Sequence, residues 1–274
     1  MLPSYLLSLR EGLEAALIIG IVLGALRQMR RRELAPAVWA GAFSAVAVSA
    51  VAALMLNAPG MLLEDEAEEV FEGITMLLAA GILTWMIFWM SRQARNIKSN
   101  LEAGVQRASQ GSKWSLFGLA FVAVLREGIE LALFLTAAAL ASDATQTLTG
   151  ALLGLGTSIL LGWSLFATTV RLDLRRFFQV TGILLILFAA GLVAHGVHEF
   201  NEVGWIPGVI EHVWDVNPVL DENSTFGQIF KALFGYNGNP SLTEVLAYVA
   251  YFAVILVGLR ETGKLSAREA VEQA

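Results

Sequence analysis

Long apolar runs alternate with short charged patches along this chain. Seven runs, near residues 3–26, 34–57, 69–91, 114–140, 148–170, 177–199 and 241–260, are each close to the length that crosses hydrocarbon as a helix. None shows the short two-residue alternation of a membrane β-barrel strand. The pattern predicts an all-α, polytopic membrane protein with seven transmembrane helices. Residues 1–274 are expected to form a single transmembrane domain, with an outer loop over 200–240 and helix seven over 241–260.

Composition strengthens this picture. Of the residues, 56% are hydrophobic and 15% are charged, and mean hydropathy is +0.64. A soluble domain usually carries about 25% charged residues. The net charge of −6, with no large basic face, points away from nucleic acid. The absence of cysteine excludes disulfides, thiolate metal sites and cysteine catalysis. The N-terminus lacks the basic start and short apolar core of a cleaved signal peptide.

Basic residues set the expected orientation. Fifteen of the eighteen Lys and Arg fall after the first, third, fifth and seventh helices. Lys231 alone lies in the alternate loops, and Arg10 and Arg126 lie inside helices. By the positive-inside rule the N-terminus is outside and the C-terminus is cytoplasmic. The outer segments are acidic, with Glu64, Asp65, Glu66, Glu68, Glu69 and Glu72 before and into the third helix. In the 199–240 loop, "WIPGVIEHVW" and "STFGQIFKALFGY" read as short amphipathic helices at the interface.

Two of the apolar runs carry charges where a membrane tolerates them least. "LREGLEAAL" (9–17) in the first helix returns as "LREGIELAL" (125–133) in the fourth, 116 positions later. The predicted topology makes the copies antiparallel, so residues 1–91 and 114–199 read as an inverted repeat. Within each copy the Arg and the second Glu are four apart and the two Glu are three apart, so they share one side of a helix. Gly12 and Gly128 remove bulk beside them. Each charge at a helix centre costs roughly 2.5–3.5 kcal/mol on insertion scales, so the six must face each other or water. Four carboxylates and two guanidiniums leave a surplus of two negative charges, and carboxylate oxygens suit hard cations. The residues therefore mark a cation path and leave iron, manganese, magnesium and calcium all open.

These motifs and their flanks resemble the oxidase-dependent iron permease family, in its bacterial branch. The resemblance extends through "FEGITMLLAAGILTWMIFWMSRQARNIK" (71–98), "RLDLRRFF" (171–178), "FGQIFKALFGY" (226–236) and "PSLTEVLAY" (240–248). It implies import of iron across the bacterial cytoplasmic (inner) membrane, with iron as cargo and no permanently bound cofactor. It implies metal-ligand roles for Glu11, Glu14, Glu127 and Glu130, beside the motif arginines Arg10 and Arg126. Ferrous iron would be oxidised outside and passed inward, with a secreted cupredoxin-like protein and a haem peroxidase as partners. Ile129 stands where the family pattern has Leu, a conservative change.

An outer metal-gathering site is a further expectation. His195, His198, Glu199 and Glu202 close the sixth helix, and Glu69 and Glu72 open the third. Met76, Met86 and Met90 with Trp85 and Trp89 read as packing and an interface belt. Two alternatives to an iron permease stand at this stage. One is a permease for another divalent metal such as manganese. The other is a membrane-embedded di-iron oxidoreductase, though such sites usually combine Glu with Glu-x-x-His, which neither motif contains. The chain is therefore not expected to be an enzyme.

Overall fold

The computed structural model describes residues 1–57, 66–93, 103–108, 112–141, 144–167, 174–222 and 224–272. Glu64, Asp65, Arg95, Lys98 and Arg171 of the sequence reading lie outside them. The helices are α1 (Leu2–Gln28), α2 (Ala35–Asn57), α3 (Glu66–Gln93), α4 (Lys113–Leu140), α5 (Ala144–Ala167), α6 (Leu174–Glu202), α7 (Thr225–Phe234) and α8 (Leu242–Glu272). Among the described residues there is no strand. The spans on α2, α3, α5, α6 and α8 are long and apolar enough to cross a membrane. Helices α1 and α4 miss that measure because every stretch of eighteen residues in them holds at least three charges, both Glu of a motif among them.

Two compact units divide the chain. Unit one takes residues 1–63 and 93–181, and unit two takes 64–92 and 182–274. Unit one therefore holds α1, α2, α4 and α5. Its main packings are α1 on α5 and α2 on α4, with a smaller α1–α4 crossing. Small residues set both main packings, because without hydrophobic drive between helices in lipid, close backbone approach supplies the attraction. On α5, Gly150, Gly154, Ser158 and Gly162 recur every fourth residue. They meet, in order, Met1, Tyr5 with Ser8, Gly12, and Ala16 of α1, so the two helices run parallel. On α2, Gly41 and Ser49 meet Phe117 and Gly128 of α4, again parallel. An apolar core of Ile19, Val22, Leu26, Val38, Ala42, Ala45, Leu116, Ala120 and Val124 fills the same unit.

Unit two holds α3, residues 182–202 of α6, α7 and α8. Gly73 and Gly196 each lie 3.1 Å, measured from a Cβ position, from the other's carbonyl oxygen, which brings α3 and α6 together. Thr84 and Tyr251 share a 2.8 Å hydrogen bond between α3 and α8. Met76 and Met86 are buried in packing, whereas Trp85 is exposed and stacks on Trp89.

The outer loop departs from expectation in one place. "STFGQIFKALFGY" does contain a helix, α7. Ser224 caps it by accepting from the Gly227 amide at 3.0 Å, and Gly235 ends it in the left-handed region at φ 63°. The capping glycine packs against Gly191, about three turns before the end of α6. "WIPGVIEHVW" is not a helix. Pro207 and Gly208 break the run, Val209 takes φ 58°, and its backbone pairs with the segment before α8 instead. The Val213 amide donates to Pro240 and the Leu242 amide to Ile210, both at 3.0 Å.

Candidate metal-ion site

The two charged motifs meet inside unit one. Each lies near the middle of its helix, on α1 and α4, and the α1–α4 crossing brings them together. Glu11, Glu14 and Glu127 each present a carboxylate oxygen within 4.8 Å of the others. Among the described residues this is the only group of three or more carboxylate or imidazole side chains so placed. Both oxygens of Glu11, and Oε1 of Glu14, lie buried without a hydrogen-bond partner among the described residues. Three converging acidic oxygens form a cage suited to a hard cation.

Each arginine pairs with acids of its own motif. Arg10 Nε lies 3.3 Å from Glu14 Oε1, and its Nη1 lies 3.7 Å from Glu11 Oε1. Arg126 Nε donates to Glu130 Oε1 at 2.9 Å. Glu130 is outside the group of three. Its other oxygen is buried without a hydrogen-bond partner, and its charge bears on both Glu11 and Glu14. The Arg10 side chain is 3% exposed and that of Arg126 is 36% exposed.

The motif glycines have a physical reason. A Cβ on Gly12 would strike the Ser158 side chain, whose Cβ lies 2.8 Å away. On Gly128 it would strike Ser49, with Cβ at 2.6 Å. Each motif thus receives a serine from the neighbouring helix into the notch between its glutamates. The glycines stand out within the motifs, whereas the serines lie on other helices. The four-residue spacing of Gly150, Gly154, Ser158 and Gly162 is the signal that points to Ser158.

The outer residues form a different arrangement in unit two. His198 is held between two carboxylates, with Nδ1 3.1 Å from Glu244 Oε1 and Nε2 3.3 Å from Glu202 Oε1. Glu244 was not singled out from the sequence, although Ser241-Leu-Thr-Glu244 has the spacing of a capping box. The Ser241 amide donates to Glu244 Oε1 at 3.1 Å, and the Glu244 amide donates to Ser241 Oγ at 3.3 Å. Asn237 occupies the other Glu244 oxygen at 2.8 Å. Both oxygens of that acid are therefore engaged in holding the loop to α8. His195 lies beside His198, with ring centroids 6.4 Å apart. Glu69 and Glu72 start α3, and Glu199 is among the charges that bear on Glu72. Among the described residues, the outer set brings no three donor atoms into one coordination sphere.

No solved structure matches the chain. Curated relatives do. The chain is 36% identical over 260 residues to the "Ferrous iron permease EfeU" of Escherichia coli O6:K15:H31, covering 94% of both proteins. It is 33% identical to the protein of the same name in Yersinia pestis, covering 94% of this chain and 92% of that one. A relative in Escherichia coli K12, 36% identical, is named a "Putative inactive ferrous iron permease EfeU". The model of the iron permease FTR1 family matches residues 1–262, so with the charged helices and the apolar spans around them, this chain belongs to that family.

Proposed function

We propose that the protein imports iron across the bacterial cytoplasmic membrane through the carboxylate site of Glu11, Glu14, Glu127 and Glu130. The observation that carries this reading is the convergence of Glu11, Glu14 and Glu127 within 4.8 Å. Family membership and the relatives' permease names support transport of iron rather than an enzymatic role. In this reading Arg10 and Arg126 balance two of the four acids and keep the empty site from flying apart. The remaining negative charge draws the cation, and the carboxylates replace its water shell.

The architecture we propose is seven spans, N-terminus outside and C-terminus inside, with α1–α3 and α4–α6 as inverted repeats and α8 added. Several contacts in unit one support it. The Gly12–Ser158 contact recurs as Gly128–Ser49, and Gly150 on the Met1 carbonyl recurs as Gly41 on the Phe117 carbonyl. Both parallel helix pairs agree with alternating spans. The outer acids and His198 gather the ion in this scheme. We read ferric iron, formed outside by a cupredoxin-like and a haem peroxidase partner, as the ion that enters. A donor set of carboxylates alone, hard in character, favours it.

Radiolabelled iron uptake into cells lacking other importers tests the reading. Wild type is compared with Glu14→Gln and Glu127→Gln at matched membrane abundance. Ferrous iron, ferric iron and excess manganese are offered in parallel. Loss of uptake in both variants, with manganese failing to compete, is the expected result. Normal uptake by either variant overturns the site, and full competition by manganese overturns the ion.

A further inference from the structure

Several hydroxyl groups in the helices of unit one share one arrangement. Thr136, Thr149, Thr157, Ser158 and Ser164 each donate to a backbone carbonyl three or four residues back in their own helix. Such back-bonding is the ordinary way a helix satisfies a hydroxyl away from water. Ser8 on α1 and Ser49 on α2 are fully and 93% buried, yet neither Oγ has a hydrogen-bond partner among the described residues. A buried hydroxyl left so gives up its hydration with no bond in return and calls for an explanation.

Position supplies one. Ser8 is three residues before Glu11 on α1, so their Cβ atoms are neighbours on one side of the helix. Glu11 is itself buried with both oxygens undonated. Ser49 sits in the Gly128 notch, between Glu127 and Glu130 in sequence. Its counterpart Ser158 fills the Gly12 notch equally tightly but donates to the Leu155 carbonyl at 2.8 Å. The same packing role is thus met by one hydroxyl that is satisfied and one that is not. Filling the notch does not explain why Ser49 keeps its oxygen unengaged.

We propose that the Ser8 and Ser49 hydroxyls are neutral oxygen donors to the transported cation or to the last waters it carries through the carboxylate site. This rests on the reading that the ion passes Glu11, Glu14 and Glu127. Carboxylates alone supply charge, and neutral oxygens complete a hard cation's shell without adding to the repulsion among the acids. Ser8, one turn toward the N-terminal end of α1 from Glu11, is then an earlier contact, and Ser49 lies beside the second motif.

The chain has no native cysteine, so Ser8→Cys and Ser49→Cys each create a unique thiol. The full-length protein in membrane vesicles is treated with a small cationic methanethiosulfonate, with and without iron. The proposal expects labelling of both thiols and protection by iron. Uptake kinetics of Ser8→Ala and Ser49→Ala accompany it. Each is expected to raise KM by about threefold to tenfold with little change in maximal rate, while Ser158→Ala leaves KM unchanged. Thiols that stay unlabelled, labelling indifferent to iron, or an equal effect from Ser158→Ala would overturn it. Glu14→Gln is run alongside. If Glu14→Gln abolishes uptake and the serine variants behave as wild type, the serine proposal fails and the carboxylate reading stands. If Glu14→Gln transports normally, the carboxylate reading itself fails, and the serine proposal with it.

Discussion

The two motifs are nearly the same in sequence and unlike in surroundings. In the first, Arg10 is almost wholly buried and lies near both Glu11 and Glu14. In the second, Arg126 is a third exposed and hydrogen-bonds Glu130, while Glu127 turns toward the first motif. Two acids of the first copy and one of the second therefore build the cage. A sequence repeat thus fixes which residues carry charge, and packing decides how the copies divide the work.

Removing each arginine should break the comparison most visibly. Arg10→Leu strands buried carboxylates, and breaking a buried pair typically costs about 3–5 kcal/mol. Arg126→Leu removes a partly solvated partner, worth about 1 kcal/mol or less after screening. Thermal stability in detergent should fall steeply for the first and slightly for the second. Equal losses would mean that the two motifs carry the same structural weight.

Glycine substitutions come next. Gly12→Ala and Gly128→Ala overfill their notches, which typically costs about 1–3 kcal/mol. Ser158→Gly should rescue the first and Ser49→Gly the second, in membrane abundance and in uptake. Gly150→Ala, which would meet the Met1 backbone rather than a side chain, should find no such suppressor. A swapped pattern of rescue would contradict the packing of α1 on α5 and α2 on α4.

The smallest single effect is expected in unit two, beside one as large as the glycine changes. Glu244→Ala removes the partner of Ser241, His198 and Asn237 and should destabilise by about 1–3 kcal/mol. Glu202→Gln touches only the exposed side of His198 and should stay within about 0.5 kcal/mol of wild type. A larger loss of stability from Glu202→Gln than from Glu244→Ala would reverse the roles given to the two acids.

Much of this was legible along the chain. Apolar run length located seven long helices, six of them to within a few residues at both ends, while α8 continues to Glu272, twelve residues past the end of its apolar run at 260. The repeated R-E-G-x-E located the charges. Partner choice was not legible from hydropathy, since helices in lipid recognise each other by shape. It was written instead in the small residues of α5, whose four-residue rhythm fits the steps of α1. Which carboxylates converge was hidden for a similar reason, because identical spacing within a helix leaves its rotation against neighbours undetermined. "WIPGVIEHVW" misled because its apolar spacing was read ahead of Pro207 and Gly208. Glu244 was passed over although the capping-box spacing was present.

The most direct test of the account compares iron binding at its two regions. Purified protein is assayed for bound radiolabelled iron as wild type, Glu127→Gln and Glu202→Gln. The account predicts that Glu127→Gln loses high-affinity binding while Glu202→Gln retains it. Binding that survives Glu127→Gln and disappears in Glu202→Gln would place the ion's principal site at the outer residues and contradict the account.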